Sequence, residues 1–266
     1  MTEKIGFIGS GNMAGAIING LLRQEICPAD QLAVYDHHSA HYARFEEHGV
    51  RGMETVRQLV EFADIVFLSV KPQNYDEVLQ NIRPFANGKI IVSIAAGISS
   101  AYIKERLGDA AKIALAMPNT PLLLGEGATA LCQCPPLADA EYAKVKAIFA
   151  AGGVVQNLPE DQMAAVISVS GSSPAYVYLF AKAVIAGAVE QGIDAAVAKA
   201  LIAQTLIGSA KMLTDSGREA DELIQMVSSK GGTTIAALEA LYAHGFEQAV
   251  IDGMRQCTRR AKELGK

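Results

Sequence analysis

Two glycine-containing turns, one near each end of the chain, carry residue types and spacings that could do chemistry. Far along the sequence, Ser228-Ser229-Lys230-Gly231-Gly232-Thr233-Thr234 runs into the apolar pattern Ile235-Ala236-Ala237-Leu238. That order predicts a loop that starts a helix. The first turn of a helix has free backbone N–H groups and a partial positive charge, so it can hold a small anion such as a carboxylate. Glycines let a ligand approach the backbone, and threonine hydroxyls add donors. An ordinary capped helix start uses the same residues, so the segment needs further context before it means a site. Near the start, Gly9-Ser10-Gly11-Asn12-Met13-Ala14 follows a short apolar run and opens an amphipathic one. It fits G-x-G-x-x-A. The first glycine makes a tight turn, the second admits a pyrophosphate to the backbone, and the small third residue allows close helix–strand packing.

Further candidates stand where apolar runs end. Asp36 closes the second run, where an acid hydrogen-bonds the adenine ribose and favours NAD over NADP. His37 and His38 follow it in place of an arginine. They tolerate a 2′-phosphate when protonated, or they belong to a solvated loop, so the choice between NADP(H) and NAD(H) stays open. Ser69-Val70-Lys71-Pro72-Gln73 and Ser93-Ile94-Ala95-Ala96-Gly97 close later runs. Residues at the carboxyl ends of parallel strands face the ligand crevice. Lys71 is placed to contact a cofactor or to precede a turn proline at the surface. Ala95, Ala96 and Gly97 leave room for a nicotinamide ring and also suit close packing. Met117-Pro118-Asn119-Thr120-Pro121 fixes its backbone with two prolines, while Asn119 offers a donor and an acceptor. Ser170-Gly171-Ser172-Ser173-Pro174-Ala175-Tyr176 reads as a polar loop inside an apolar region, either a helix corner or a substrate contact.

The elements that must position these residues alternate at first. Strand patterns cover Ile5–Ile8, Leu32–Tyr35, Ile65–Ser69, Ile90–Ile94 and Ile113–Met117, with helical patterns over Asn12–Arg23, Ser39–Glu47 and Asn74–Ile82. Strand–helix alternation predicts a parallel, doubly wound α/β sheet. A smaller unit follows, with strands at Ala128–Leu131 and Val154–Gln156 around a helix at Ala138–Ala150. After Pro159 strand signals stop. Met163–Val169, Ala175–Gln191, Ala195–Leu213, Ala220–Val227, Thr234–Ala243 and Phe246–Glu263 all read as helices, many rich in alanine and poor in charge. One small bundle would not hide that much apolar surface, whereas a helical dimer interface would. The domain boundary falls at Leu158-Pro159, giving 1–158 and 159–266.

Bulk properties narrow the classes. The 266 residues are half hydrophobic and lack tryptophan, enough for one large domain or two medium ones. A net charge of −5 without a basic block argues against nucleic acid. Of the four cysteines only Cys132 and Cys134 are close, as C-x-C, too few for a tetrahedral metal site. Reduced thiols, no signal-peptide pattern at Met1-Thr2-Glu3-Lys4, and polar residues inside the uncharged stretch Gln162–Ala181 point to a cytoplasmic protein without a membrane span.

The motifs G-S-G-N-M-A, V-K-P-Q, S-I-A-A-G-I, M-P-N-T-P, S-G-S-S-P-A-Y and G-G-T-T, in this order over nearly the whole chain, resemble the pyrroline-5-carboxylate reductases. The first is shared by many dehydrogenases; the last three together are specific. The resemblance implies a Rossmann domain and an all-helical C-terminal dimerisation domain, often with further assembly into a decamer. It implies reduction of 1-pyrroline-5-carboxylate to L-proline, the last step of proline synthesis, usually with NADPH and sometimes with NADH. Ser229, Gly231, Gly232 and Thr233 would then hold the substrate carboxylate, and Asn119 would also bind the substrate. Thr234, which matches the family's substrate-contacting threonine, would hydrogen-bond the ring nitrogen. Three positions depart from the family pattern: Leu115 stands where an arginine is usual, Lys230 where a proline is, and Lys182 where a glutamate is. Two other readings use part of the same residues. A β-hydroxyacid dehydrogenase would use Lys182 as a catalytic lysine, and a nucleotide sensor would keep the fold without turnover.

Overall fold

The computed structural model describes residues 1–38, 40 and 42–264, which pack as two compact units: 1–174 with 256–266, and 175–255. In the first unit the strands Ile5–Ile8 (β1), Ile65–Leu68 (β4) and Ile90–Ser93 (β5) are buried at every position. Leu32–Tyr35 (β2) is buried at all but its last residue. Strands without a polar face must be covered on both sides, which is the signature of a parallel sheet wrapped by helices. The sheet has eight strands in the order β3-β2-β1-β4-β5-β6-β7-β8, where β3 is Arg51–Gly52, β6 Lys112–Met117, β7 Gly127–Cys134 and β8 Gly153–Asn157. Alternate side chains feed two cores. Ile5, Phe7, Val34, Phe67 and Val92 enter one; Ile8, Val66, Leu68, Ile91 and Leu115 enter the other.

This is the Rossmann-type α/β domain that the alternating pattern predicts. The helix Asn12–Arg23 (α1) forms as expected. In the predicted helix 39–47, Ala43–Glu46 (α2) is helical, while Ser39 lies outside the described residues. Val56–Phe62 (α3) and Ser100–Leu107 (α5) add two helices beyond the predicted ones. Their start signals were present: Thr55 and Gln58 form a capping box, and Ser99 accepts from Tyr102 N. Tyr75–Ile82 (α4) and Asp139–Ala150 (α6) lie within one residue of their predicted limits. The strand β7 departs from the parallel expectation by running antiparallel to β6. Residues 118–126 between them form only a short turn, and a parallel partner needs a longer crossover.

The S-G-S-S-P segment is not the loop that its composition suggests. Met163–Val166 (α7) runs into a π-helical turn, Ile167–Gly171, and then into Ser173–Glu190 (α8). The i→i+5 bond from Ser172 N to Ile167 O, at 2.7 Å, closes that turn. The polar residues are therefore absorbed into helix. As a result, 160–190 and 195–215 are each long and apolar enough to cross a membrane by length and composition alone.

The second unit is helical: most of α8, Ala195–Asp215 (α9), Ala220–Met226 (α10), Thr233–Ala243 (α11) and the first half of Phe246–Leu264 (α12). Asp194 caps α9 by accepting from Ala196 N and Val197 N. Large apolar side chains remain uncovered in one chain, including Leu179 at 66% exposure, Leu201 at 63% and Val227 at 66%. An apolar surface of this extent marks an interaction face.

One long-range tie fixes the segment after β8. Glu160 accepts from Ser100 N at 2.7 Å and from Ser100 Oγ at 2.6 Å, placing a carboxylate on the first turn of α5. Glu160→Ala should lower stability by about 1–3 kcal/mol, since it strands those donors. A lower denaturant midpoint at unchanged slope would register this, and Glu160→Gln should lose less.

Candidate active site

The sheet order reverses between β1 and β4, so the crevice lies at their carboxyl ends. Gly9 makes the turn there at φ +96°, with its N–H donating to Tyr35 O at 2.8 Å. A Cβ on it would sit 2.7 Å from Ser69 O, so only glycine lets the loop pass β4. Gly11 caps α1 with extended backbone, and a Cβ there would meet nothing within 4 Å. The protein itself therefore does not require glycine at position 11, and the backbone before the first turn of α1, Asn12 and Met13, is left open to approach. Ala14, the third small residue, is buried against the core.

Ser10 links this loop to the second strand. Its N–H and Oγ both donate to Asp36 Oδ2, at 2.9 and 2.8 Å, and His38 N donates to Oδ1 at 3.3 Å. Asp36 thus braces the glycine loop. His37 pairs with the Tyr35 hydroxyl at 3.5 Å. A cavity of about 470 Å³ brings together Gly9, Ser10, Gly11, Asp36, His37, Ser69, Val70 and Lys71. Pro72 starts the 3₁₀ turn that follows. Among the described residues, Ser69 Oγ is buried with no hydrogen-bond partner, and its residue lines this cavity. An orphaned hydroxyl beside an open helix start fits a polar ligand with phosphate and ribose oxygens.

Ala95 and Gly97 line a different hollow of about 230 Å³, with Leu115, Met117 and Glu160 among its walls; Ala96 packs half-buried against the core. Beneath β4 and β5, Tyr75 is fully buried, donates to Leu68 O at 3.1 Å and pairs with Ser93 Oγ at 2.8 Å. Burial pushes its phenol far above the ordinary tyrosine range, so it is a neutral strut. Cys132 and Cys134 share one face of β7 with their sulfurs 3.9 Å apart. The Cys134 thiol is pushed up by its bond to Cys132 and by burial, so it stays protonated.

Asn119 is only 7% exposed, and both ends of its amide are engaged. Nδ2 donates to Ser170 O at 3.1 Å, while Oδ1 accepts from Ala128 N at 2.9 Å. Its observed contacts hold the M-P-N-T-P turn to β7 and to the π-turn.

In the second unit, Gly231 has φ +72° and Gly232 is the N-cap of α11, with no side-chain cap on the helix. Gly232 N donates to Ser229 O at 2.9 Å, and a Cβ on Gly232 would lie 2.5 Å from Ser229 Oγ. Thr233 and Thr234 are the first two helical residues, so this is the glycine-to-helix geometry expected from sequence. Of the departures, Leu115 is buried in β6, whereas Lys182 and Lys230 are exposed. Sequence reasoning missed Arg44, whose Nη2 donates to Ser10 O at 2.8 Å, and also Asn74, Glu77 and Asn81 on the cavity wall. Their contacts cross tens of residues, and nothing local announces them.

Fold and site together define an oxidoreductase with a dinucleotide-binding domain and a helical partner domain. Residues 4–97 match the model of NADP oxidoreductases, coenzyme F420-dependent, and residues 160–264 match that of pyrroline-5-carboxylate reductase dimerisation. Pyrroline-5-carboxylate reductases of Escherichia coli and Synechocystis sp. are 38% and 37% identical to the chain, each aligned over 100% of both proteins. The Plasmodium falciparum pyrroline carboxylate reductase with NADP bound superposes with a TM-score of 0.93 at 29% identity, covering 100% of this chain and 99% of that one. The Coxiella burnetii pyrroline-5-carboxylate reductase matches with a TM-score of 0.93 at 32% identity, over 100% of both chains. The chain belongs to the pyrroline-5-carboxylate reductase family.

The two glycines should separate by experiment. Gly9→Ala should destabilise the fold, because its Cβ meets backbone at a positive φ. Gly11→Ala should leave stability within about 0.5 kcal/mol yet weaken NADPH binding by about tenfold or more. Thermal melts with a fluorescence titration of NADPH would read both effects.

Proposed function

We propose that this chain reduces 1-pyrroline-5-carboxylate to L-proline with NADPH, and accepts NADH less well. The observation that carries the reading is the glycine-loop cavity with its orphaned Ser69 hydroxyl, in a chain whose full-length relatives bear that activity. Family membership favours this reading over hydroxyacid oxidation through Lys182.

A nicotinamide cofactor, when bound, supplies the hydride. Gly9, Ser10 and Gly11 with the first turn of α1 would hold its pyrophosphate, and Ser69, Val70, Lys71 and Pro72 would line its path. Ala95, Ala96 and Gly97 would leave space for the ring. At the turn before α11, the N–H groups around Gly231, Gly232 and Thr233 and the Ser229 hydroxyl would anchor the substrate carboxylate. The Thr234 hydroxyl would hydrogen-bond the ring nitrogen and steady its proton. An imine that binds already protonated needs no strong general acid, so catalysis rests on orientation and electrostatics. Asn119 would act by holding the M-P-N-T-P turn, in keeping with its two backbone bonds.

The helical region 159–266 would work as one dimerisation and substrate-binding domain after the nucleotide domain 1–158. Self-association covers the exposed faces of α8 and α9 and removes the need for a membrane. A homodimer is the basic unit, a decamer its further assembly, and the cytoplasm its compartment.

NADPH oxidation coupled to proline formation tests the activity. Thr234→Ala should lower kcat/KM by ~10- to 100-fold, the worth of one such hydrogen bond; unchanged kinetics would remove Thr234 from the mechanism. Leu179→Glu with Leu201→Glu should shift the protein to smaller species in light scattering, because charges would then enter the apolar contact. An unshifted mass would place the interface elsewhere.

A further inference from the structure

We propose that Arg44 is the cation that selects the 2′-phosphorylated cofactor, a proposal that rests on assigning the 470 Å³ cavity to a dinucleotide. NADPH and NADH differ only by a phosphate on the adenosine ribose. A site reads the free 2′-hydroxyl with a carboxylate and the 2′-phosphate with an arginine. Asp36 stands where the ribose-reading acid belongs, but its carboxylate is committed to the protein. Oδ2 accepts both the N–H and the Oγ of Ser10, and Oδ1 accepts His38 N. Two donors on Oδ2 use the acceptor sites of that oxygen. With Oδ2 filled by Ser10, Asp36 braces the glycine loop, and the reading of a 2′-phosphate falls to a cation.

Arg44 comes to the same loop from α2. Its Nη2 donates to Ser10 O at 2.8 Å, so the guanidinium and the Asp36 carboxylate are both bonded to Ser10, a residue of the main cavity wall. The guanidinium lies 4.6 Å from the Phe45 ring centroid, and Phe45 is buried, which fixes the direction of the arm. Ser10 O takes one Nη2 hydrogen; among the described residues the other guanidinium N–H groups make no hydrogen bond. A small hollow of about 150 Å³, lined by Asn12, Asn19, Arg44 and His48, lies beside them. The planar fork is thus held in place, charged at any working pH, and has donors to spare for phosphate oxygens.

His37, His38 and Lys71 line the main cavity and are the rival cations. A histidine carries its charge only in part at neutral pH, and lysine is a point charge without the fork.

The test is isothermal titration of the full-length protein with 2′,5′-ADP and 5′-AMP, and with NADPH and NADH. Wild type should bind the 2′-phosphorylated member of each pair more tightly. Arg44→Ala should lose about tenfold or more in affinity for 2′,5′-ADP and NADPH, with 5′-AMP and NADH changed by less than about twofold. Arg44→Lys should fall between, since it keeps the charge without the fork. An equal loss for both members of each pair would overturn the proposal, because Arg44 would then only brace Ser10. Unaltered binding in Arg44→Ala would also overturn it, as would a selective loss that appears instead in His37→Ala or Lys71→Ala. If wild type bound none of the four ligands, the dinucleotide reading of the cavity would fail and this inference with it.

Discussion

The loop after β1 passes the end of β4 in close contact, and the rest of the site depends on that approach. Gly9 passes within contact of the Ser69 carbonyl at a positive φ, a geometry that a side chain would block. That turn can exist only because β1 is paired in parallel on both sides, with β2 and with β4. Parallel pairing sets the carboxyl ends of all three strands at one rim. The open start of α1, Asp36 and Ser69 therefore converge there. The position of each side chain follows from strand register, and the register follows from the apolar residues that must be buried on both faces.

Polar groups at that rim divide their labour. Asp36 and Ser10 bond each other around the loop, whereas among the described residues Ser69 Oγ finds no partner inside the wall. A buried hydroxyl without a partner costs free energy in the ligand-free protein, and a ligand oxygen would recover it. The first group keeps the cradle rigid. The second would add a term to binding that is absent before a ligand arrives. Neither needs a titrating acid, which agrees with hydride transfer governed by placement.

The helical half obeys a different constraint. Its long apolar helices leave Leu179, Leu201 and Val227 uncovered within one chain. Water does not tolerate that much contiguous apolar surface, so the sequence encodes a partner as firmly as it encodes a core. The dimerisation family to which residues 160–264 belong supplies that partner as another copy. Stability and assembly are consequently coupled in this half of the protein.

How much was legible in the sequence follows the range of each interaction. Strands β1, β2, β4 and β5, the helix α1 and the glycine turns at Gly9 and Gly231 were fixed by short patterns of apolar residues and positive-φ glycines. Family motifs fixed the reaction class. Several features were decided only in three dimensions. The S-G-S-S-P run became a π-turn, because helix on both sides and the Asn119 bond to Ser170 O accommodate its polar groups. β7 turned antiparallel, because the link before it is too short for a crossover. Asp36 became a brace, and Arg44 and Glu160 reached partners 34 and 60 residues away. Hydrogen bonds of that span leave no periodic trace in the chain; they exist only once the sheet has set where its strand ends and the first turns of its helices meet.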